Sequence, residues 1–211
     1  MSADCHRAGD KDIPAVILAG GQGTRMGGMD KAFLSLAGRP LIAHLIGRLA
    51  PQCAPIAINA NGDTARFADL GRAVLPDGIE GQPGPLAGIL AALDWAALVG
   101  AGSVVTVAVD TPFVPPDLAR RLRVAAGRSG AAIAASPDRT GRMRLHPTCG
   151  LWPVAARDGL RARLAAGERK LTLWSEDLGA GVAGFAATPH DPFFNINTPE
   201  DLAAAERIAA A

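Results

Sequence analysis

Apolar residues follow two alternating patterns along this chain. Nearly continuous short runs occur at Ile13 to Leu18, Pro55 to Ile58, Ala73 to Leu75, Ser103 to Val109 (SVVTVAV) and Ala131 to Ala135. Such runs read as strands buried on both faces. Between them apolar residues recur at helical spacing. Leu41, Ile42, Leu45, Ile46 and Leu49 follow Pro40, and Leu86, Ile89, Leu90, Leu93 and Leu98 follow Pro85. Proline suits the first helical turn. Asp117 to Ala126 and Thr198 to Ala210 complete the helices. The last has Thr198 as N-cap, Pro199 at its first position, and Glu200 and Asp201 in its first turn. This alternation predicts βαβ units: an α/β fold whose mostly parallel sheet is covered by helices on both faces. Asn195 and Asn197 are expected in a further strand, pointing to the same side. Sheets of this kind bind ligands at the carboxyl ends of their strands. Chemistry is therefore expected after Leu18, after Ile58 and after Val109.

Composition narrows the functional classes. The 211 residues suit a single domain over 13–211, preceded by a polar tail over 1–12. A net charge of +1 gives no bulk attraction to nucleic acid or to an anionic membrane. No apolar run approaches the roughly 20 residues that span a bilayer, and the tail lacks a signal-peptide core. Cys5, Cys53 and Cys149 are few, scattered and outside any CxxC pair. A zinc knuckle or dithiol redox site is thereby unsupported, and a cytoplasmic location is expected. Trp95, Trp152 and Trp174 read as core, and His6, His44 and His190 join no constellation.

The segment Leu18-Ala-Gly-Gly-Gln-Gly-Thr-Arg-Met-Gly-Gly-Met-Asp-Lys31 holds five glycines in fourteen residues. Glycine permits positive φ and close approach of a ligand to backbone amides, which together form an anion nest. Arg25 and Lys31 add mobile positive charge. Lys31 is one of only three lysines among 21 basic residues. Polyphosphate binding requires this combination. It is not a Walker A loop, because Met29 and Asp30 separate Gly28 from Lys31. Nor is it the dinucleotide fingerprint, because Met26 stands where the third glycine belongs.

Three further positions sit at expected strand ends. Asp110 follows SVVTVAV directly, with Thr111-Pro112 fixing the turn. An unpaired carboxylate there is costly, and Mg²⁺ is its natural partner. Asn59 and Asp77 end the second and third strands. A carboxylate or amide oxygen there can face a ligand in the crevice, although each residue also suits a simple Asx turn. Pro83 to Gly88 leads into a helix whose N-terminus would serve either as a docking point or as a capped start. His146, near Arg142 and Arg144, is expected as a substrate contact or a structural residue.

The pattern LAGG-x3-RMGG-x-DK, followed by Leu36-x-Gly38-x-Pro40-Leu41, resembles nucleotidyltransferases of the three-layer, Rossmann-like nucleotide-diphospho-sugar transferase type. Within them the chain is similar to the molybdenum cofactor guanylyltransferases. Asn59 in INAN, Pro76-Asp77, Pro83 to Gly88, Asp110 to Phe113, His146-Pro147 and Asn195 to Glu200 extend the likeness. The resemblance implies GTP and molybdopterin as substrates, Mg²⁺ as cofactor, and transient contacts with cofactor-insertion proteins and molybdoenzymes. It implies nucleotide contacts at Leu18, Ala19, Gly20, Gly21, Lys31, Asn59, Asp77 and Asp110. Lys31, Arg25 and Asp110 would be catalytic, with Asp110 as metal ligand. Asn195 and Asn197 would face the pterin. Many related transferases have an aspartate there, so the asparagines leave Asp110 as the one protein ligand expected. Two other readings stay open: a cytidylyl- or uridylyltransferase on another phosphorylated acceptor, and a catalytically silent nucleotide-binding scaffold.

Overall fold

The computed structural model describes residues 13–20, 30–79 and 84–210. Its main sheet runs β5 (Ala73–Leu75), β4 (Ile56–Asn59), β1 (Ala15–Leu18), β6 (Ser103–Ala108), β8 (Met143–Pro153), β7 (Ala132–Pro137), β9 (Gly181–Gly184). The first four strands are mutually parallel, with Leu18 beside both Asn59 and Ala108. Their ends therefore lie at one edge. β8 runs antiparallel to β6 and β7, while β9 is parallel to β7.

Helices α1 (Leu41–Leu49) and α3 (Leu118–Ala126) cover one face, and α2 (Pro85–Leu98), α4 (Arg157–Ala165) and α5 (Leu171–Asp177) cover the other. Successive residues of β1 serve opposite faces. Ala15 and Ile17 join Leu45 and Leu122, whereas Val16 and Leu18 join Leu90 and Trp152. This two-sided burial is why the strand reads as an unbroken apolar run. The layers form a three-layer α/β fold of the nucleotide-diphospho-sugar transferase type. No helix among the described residues is long and apolar enough to cross a membrane. Cys53 and Cys149 are buried and in no disulfide, and burial raises the Cys149 thiol to about 11.

A smaller, third core joins the hairpin β2 (Ser35–Leu36) and β3 (Arg39–Pro40) to the last helix, α6 (Pro199–Ala209). Leu36, Leu41, Phe113, Ile196 and Ala205 meet there. The hairpin turns on Ala37 and Gly38, both at positive φ, the geometry of a two-residue turn between twisted strands. Glu206 accepts the Ala37 N–H at 2.9 Å and so ties the turn to α6.

The expected strands and helices are present, with ends shifted by a residue or two. Two departures follow from pairing. β8 was not legible as a strand because its register breaks. Ile133 faces Gly150, but the next residue, Ala134, faces His146. The extra residues include Pro147, which cannot donate to a ladder. Asn195 and Asn197 lie outside any strand, contrary to expectation, because their segment forms no strand ladder. Its backbone is tied to the sheet edge by the Ile196 N–H, donated to the Asp110 carbonyl at 2.9 Å.

Candidate functional site

A cleft of ≈ 250 Å³ opens where β1, β4 and β6 end, lined by Leu18, Ala19, Gly20, Asn59, Asp77, Asp110 and Lys31. The N-terminus of α2 contributes Gly84, Pro85 and Gly88, and β8 contributes Thr148. The expected strand-end crevices are thus one cleft. Gly21 and Arg25, and Pro83 of the loop before α2, lie outside the described residues.

Lys31 starts a short 3-10 helix capped by Asp30, whose side chain accepts the Ala32 N–H at 3.0 Å. The other Asp30 oxygen accepts from Arg66 Nε at 2.6 Å. Asp30 is therefore engaged away from Lys31. The Lys31 ammonium instead donates to Asn197 Oδ1 at 2.6 Å and to Asp110 Oδ2 at 3.3 Å. Asn195 Nδ2 donates to Asp110 Oδ1 at 3.2 Å. The sequence-predicted residues Lys31, Asp110, Asn195 and Asn197 thus converge although up to 166 positions separate them. With side chains about one-fifth exposed, the Lys31–Asp110 pair is reachable by a ligand. A cation already sits between an aspartate oxygen and an amide oxygen, which makes this a place built for positive charge.

The turn after β6 explains where Asp110 points. Thr111 donates both its N–H and its hydroxyl to the Ala108 carbonyl, at 3.2 and 2.6 Å. That closes a tight turn and leaves the Asp110 side chain over the strand end.

The other end of the cleft is a carboxylate held by two amides. Asn59 Nδ2 donates to Asp77 Oδ1 at 2.9 Å and to the Leu75 carbonyl at 3.0 Å. Asn61 Nδ2 donates to Asp77 Oδ2 at 2.7 Å, and Asn61 Oδ1 accepts the Asp77 N–H at 2.9 Å. Each carboxylate oxygen keeps a lone pair after these bonds. Asp77 is therefore oriented but not saturated. Arg66 joins the two ends of the site, because besides Asp30 it donates to the carbonyls of Asn61 and Asp63.

Gly88 is explained by close approach. A Cβ there would lie 2.4 Å from Asn59 Oδ1 and 3.1 Å from a Leu18 methyl. The absent side chain lets α2 pack against the Asn59 amide. Gly84 precedes α2 at φ +70, a conformation that favours glycine. With no side chain to cap, it leaves the positive end of the helix facing the cleft.

Sequence reasoning missed Asn61, Gly88, Ser136 and Asp191. Asn61 belonged to the INAN motif already noted, and its alternation with Asn59 was the available signal. Ser136 and Asp191 offered none, since their partners are distant in sequence. Ser136 donates to Asp191 Oδ1 at 2.8 Å and lies 2.8 Å from His146 Nε2. His146 is buried, and its ring stacks on Phe193 at 4.7 Å. Burial lowers the imidazole pKa to about 4, with Asp191 opposing the shift and Arg144 adding to it. Of the alternatives weighed for His146, this is structural engagement.

Residues 15–178 match the model of the MobA-like NTP transferase domain. A Bradyrhizobium protein named molybdenum cofactor guanylyltransferase is 49% identical over 203 residues, covering 94% of this chain and 93% of its own. A Cereibacter sphaeroides protein of the same name is 52% identical over 193 residues, covering 92% and 95%. Among solved structures, molybdopterin-guanine dinucleotide biosynthesis protein A from Archaeoglobus fulgidus superposes with a TM-score of 0.68 at 26% identity, covering 94% of this chain and 99% of its own. The 2-C-methyl-D-erythritol 4-phosphate cytidylyltransferase of Thermus thermophilus, at 23% identity and a TM-score of 0.68 over 93% and 98% of the two chains, shares the fold. With the strand-end cleft, the Lys31–Asp110 pair and these matches together, the chain belongs to the MobA-like NTP transferase family.

Proposed function

We propose that this protein transfers GMP from GTP to the terminal phosphate of molybdopterin, giving molybdopterin guanine dinucleotide and pyrophosphate. The observation that carries the reading is the Lys31 ammonium held between Asp110 and Asn197 at the strand-end cleft. The names of the close relatives supply the acceptor.

Guanine presents N1–H and N2–H donors side by side. The two Asp77 oxygens, each with one remaining lone pair, match that edge. Adenine presents a donor beside an acceptor and would meet one oxygen with a repulsive lone pair. Asn59 and Asn61 act by fixing the plane of the carboxylate.

In the reaction an oxygen of the acceptor phosphate attacks the α-phosphorus in line. A new P–O bond forms, and the bond to the bridging oxygen of the β-phosphate breaks. Pyrophosphate leaves with the electron pair. The acceptor phosphate has its second pKa at about 6 and is already anionic near neutrality, so no general base is required. Two anions must be brought together. Lys31 offsets their charge, and Asn197 aims the ammonium.

The donor set also fits Mg²⁺. Among the described residues no three His, Cys, Asp or Glu side chains gather as a metal cluster. Mg²⁺ at nucleotide sites typically takes one or two carboxylates, substrate phosphates and water. Asp110 would hold it, with the Asn195 and Asn197 amide oxygens as neutral neighbours. Bound there, the ion would neutralise charge on the triphosphate and the departing pyrophosphate. Arg25 and the amide of Gly21 belong to the same proposed phosphate site, together with the backbone of Leu18, Ala19 and Gly20.

Pyrophosphate release on mixing protein, Mg²⁺ and molybdopterin with GTP, CTP or ATP tests the reading. Release with GTP well above the other two is expected. Faster release with CTP, or none with any nucleotide, would overturn it.

A further inference from the structure

The loop that carries Asn195 and Asn197 is fastened at both ends. The later fastening belongs to helix α6. Asp201 Oδ2 accepts the N–H groups of Asn197 and Thr198, each at 2.9 Å, in a capping box. The earlier fastening is of another kind, a polar chain between three separate segments that is buried at Ser136 and His146. Asp191 Oδ1 accepts from the Ser136 hydroxyl at 2.8 Å and from the Phe193 N–H at 2.9 Å. Ser136 has one proton and has given it to Asp191. Its oxygen can then only accept from His146 Nε2, 2.8 Å away. The bonds thus run in one direction, from imidazole to hydroxyl to carboxylate, and they fix the Nε2–H tautomer of His146. Ser136 is fully buried and His146 is 6% exposed. Phe193 is clasped between the His146 ring at 4.7 Å and the edge of Phe185 at 5.2 Å.

A fold that needed only bulk here could use apolar side chains and avoid burying the polar groups of Ser136 and His146. What the polar chain adds is direction. It sets the entry of the loop, and the next few residues carry the contacts that matter. These are Asn195 to Asp110 at 3.2 Å, the Ile196 N–H to the Asp110 carbonyl at 2.9 Å, and Asn197 to Lys31 at 2.6 Å.

We propose that His146, Ser136 and Asp191 are positioning residues that set Asn195 and Asn197 against Asp110 and Lys31. They thereby govern where the acceptor phosphate stands relative to the nucleotide. This rests on the transferase reading above. None of the three is placed in contact with the reacting atoms. Their effect therefore falls on turnover with the acceptor and leaves nucleotide binding nearly unchanged, because Asp77 and the end of β1 are held by other elements.

The test uses His146→Leu, Ser136→Ala, the double variant, and His146→Gln, which retains an N–H donor. Three quantities are read: the Kd for GTP with Mg²⁺, kcat and KM for molybdopterin, and hydrogen exchange across 192–197. For His146→Leu and Ser136→Ala we expect kcat to fall by about tenfold to about 10²-fold. The GTP Kd should stay within about twofold, and exchange in the loop should be faster. The double variant should be no worse than the worse single one, as for members of one chain. His146→Gln should recover most of the loss. Wild-type exchange and kcat in His146→Leu would overturn the proposal. So would loss of GTP affinity equal to the loss of turnover, or a His146→Gln as impaired as His146→Leu. If the wild type released no pyrophosphate, the transferase reading would fall, while the exchange measurements would still decide the positioning role.

Discussion

The two halves of the cleft are built on opposite principles. On the proposed nucleotide side, β5, β4 and β1 run parallel and end together, and short segments next to those ends place Gly20, Asn59, Asn61 and Asp77. On the proposed acceptor side, the antiparallel β8 breaks register at Pro147, and a loop without strand partners is fixed by side chains from β7, β8 and α6. The first half inherits its geometry from a backbone ladder. The second must assemble its geometry from individual polar bonds. Asp110 stands at the seam, in contact with both Lys31 and Asn195. The comparison predicts that damage to the first half falls on nucleotide affinity and base choice, and damage to the second on turnover.

The seam should be the most sensitive point. Asp110→Ala and Lys31→Ala are each expected to lower kcat by roughly 10²–10³-fold, read as pyrophosphate release. If either kept wild-type kcat, charge neutralisation at this point would not be what drives the reaction.

Asp77→Ala should leave the fold intact and cost about 1–3 kcal/mol of discrimination for GTP over ATP. Competitive turnover checks this. An unaltered GTP preference would remove Asp77 from base reading and would blur the division between the halves.

Gly88→Ala forces a methyl to 2.4 Å from Asn59 Oδ1. Overpacking of this kind costs about 1–3 kcal/mol, visible as a lower Tm. Because Asn59 holds Asp77, GTP affinity should fall as well while kcat at saturation changes little. A kcat loss instead would show that the halves are not separable.

The last effect is that of pH, which acts on stability and not on the chemistry of the cleft. His146 has its pKa lowered to about 4 by burial, with Asp191 and Arg144 facing it. The unfolded chain takes up a proton as pH falls through about 6.5, and the folded protein does not until about 4. Stability due to this group is therefore fully present above about 6.5 and is lost between the two values. The slope approaches about 1.4 kcal/mol per pH unit. Urea denaturation at a series of pH values reads it. His146→Leu should flatten the profile in that window.

The same contrast explains what the amino-acid sequence made legible. Parallel strands buried on both sides leave continuous apolar runs, so β1, β4 and β6 could be read directly, and Asp110 stood out as the polar residue ending one of them. Lys31, Asn195 and Asn197 were found through motifs, and the structure joins them. β8 was hidden because Pro147 and its register break remove the alternation that marks a strand. Ser136, His146 and Asp191 make one chain of bonds, yet 55 positions separate Ser136 from Asp191. No local pattern connects them, since a hydroxyl in a strand and an aspartate in a turn are individually ordinary. Asn61 and Gly88 lay inside motifs already noted, but their individual roles were not legible for a related reason. Their significance lies in what they touch, Asp77 and Asn59.

Helix α6 has a practical consequence for anyone handling this protein. It contributes no lining residue to the cleft, so it looks like a convenient place to trim or to redesign. Yet Asp201 holds the backbone of Asn197, and Glu206 holds the turn that follows the Lys31 segment. Engineering at that helix amounts to editing the proposed active site from outside. A shortened or resurfaced α6 should be screened by turnover as well as by yield.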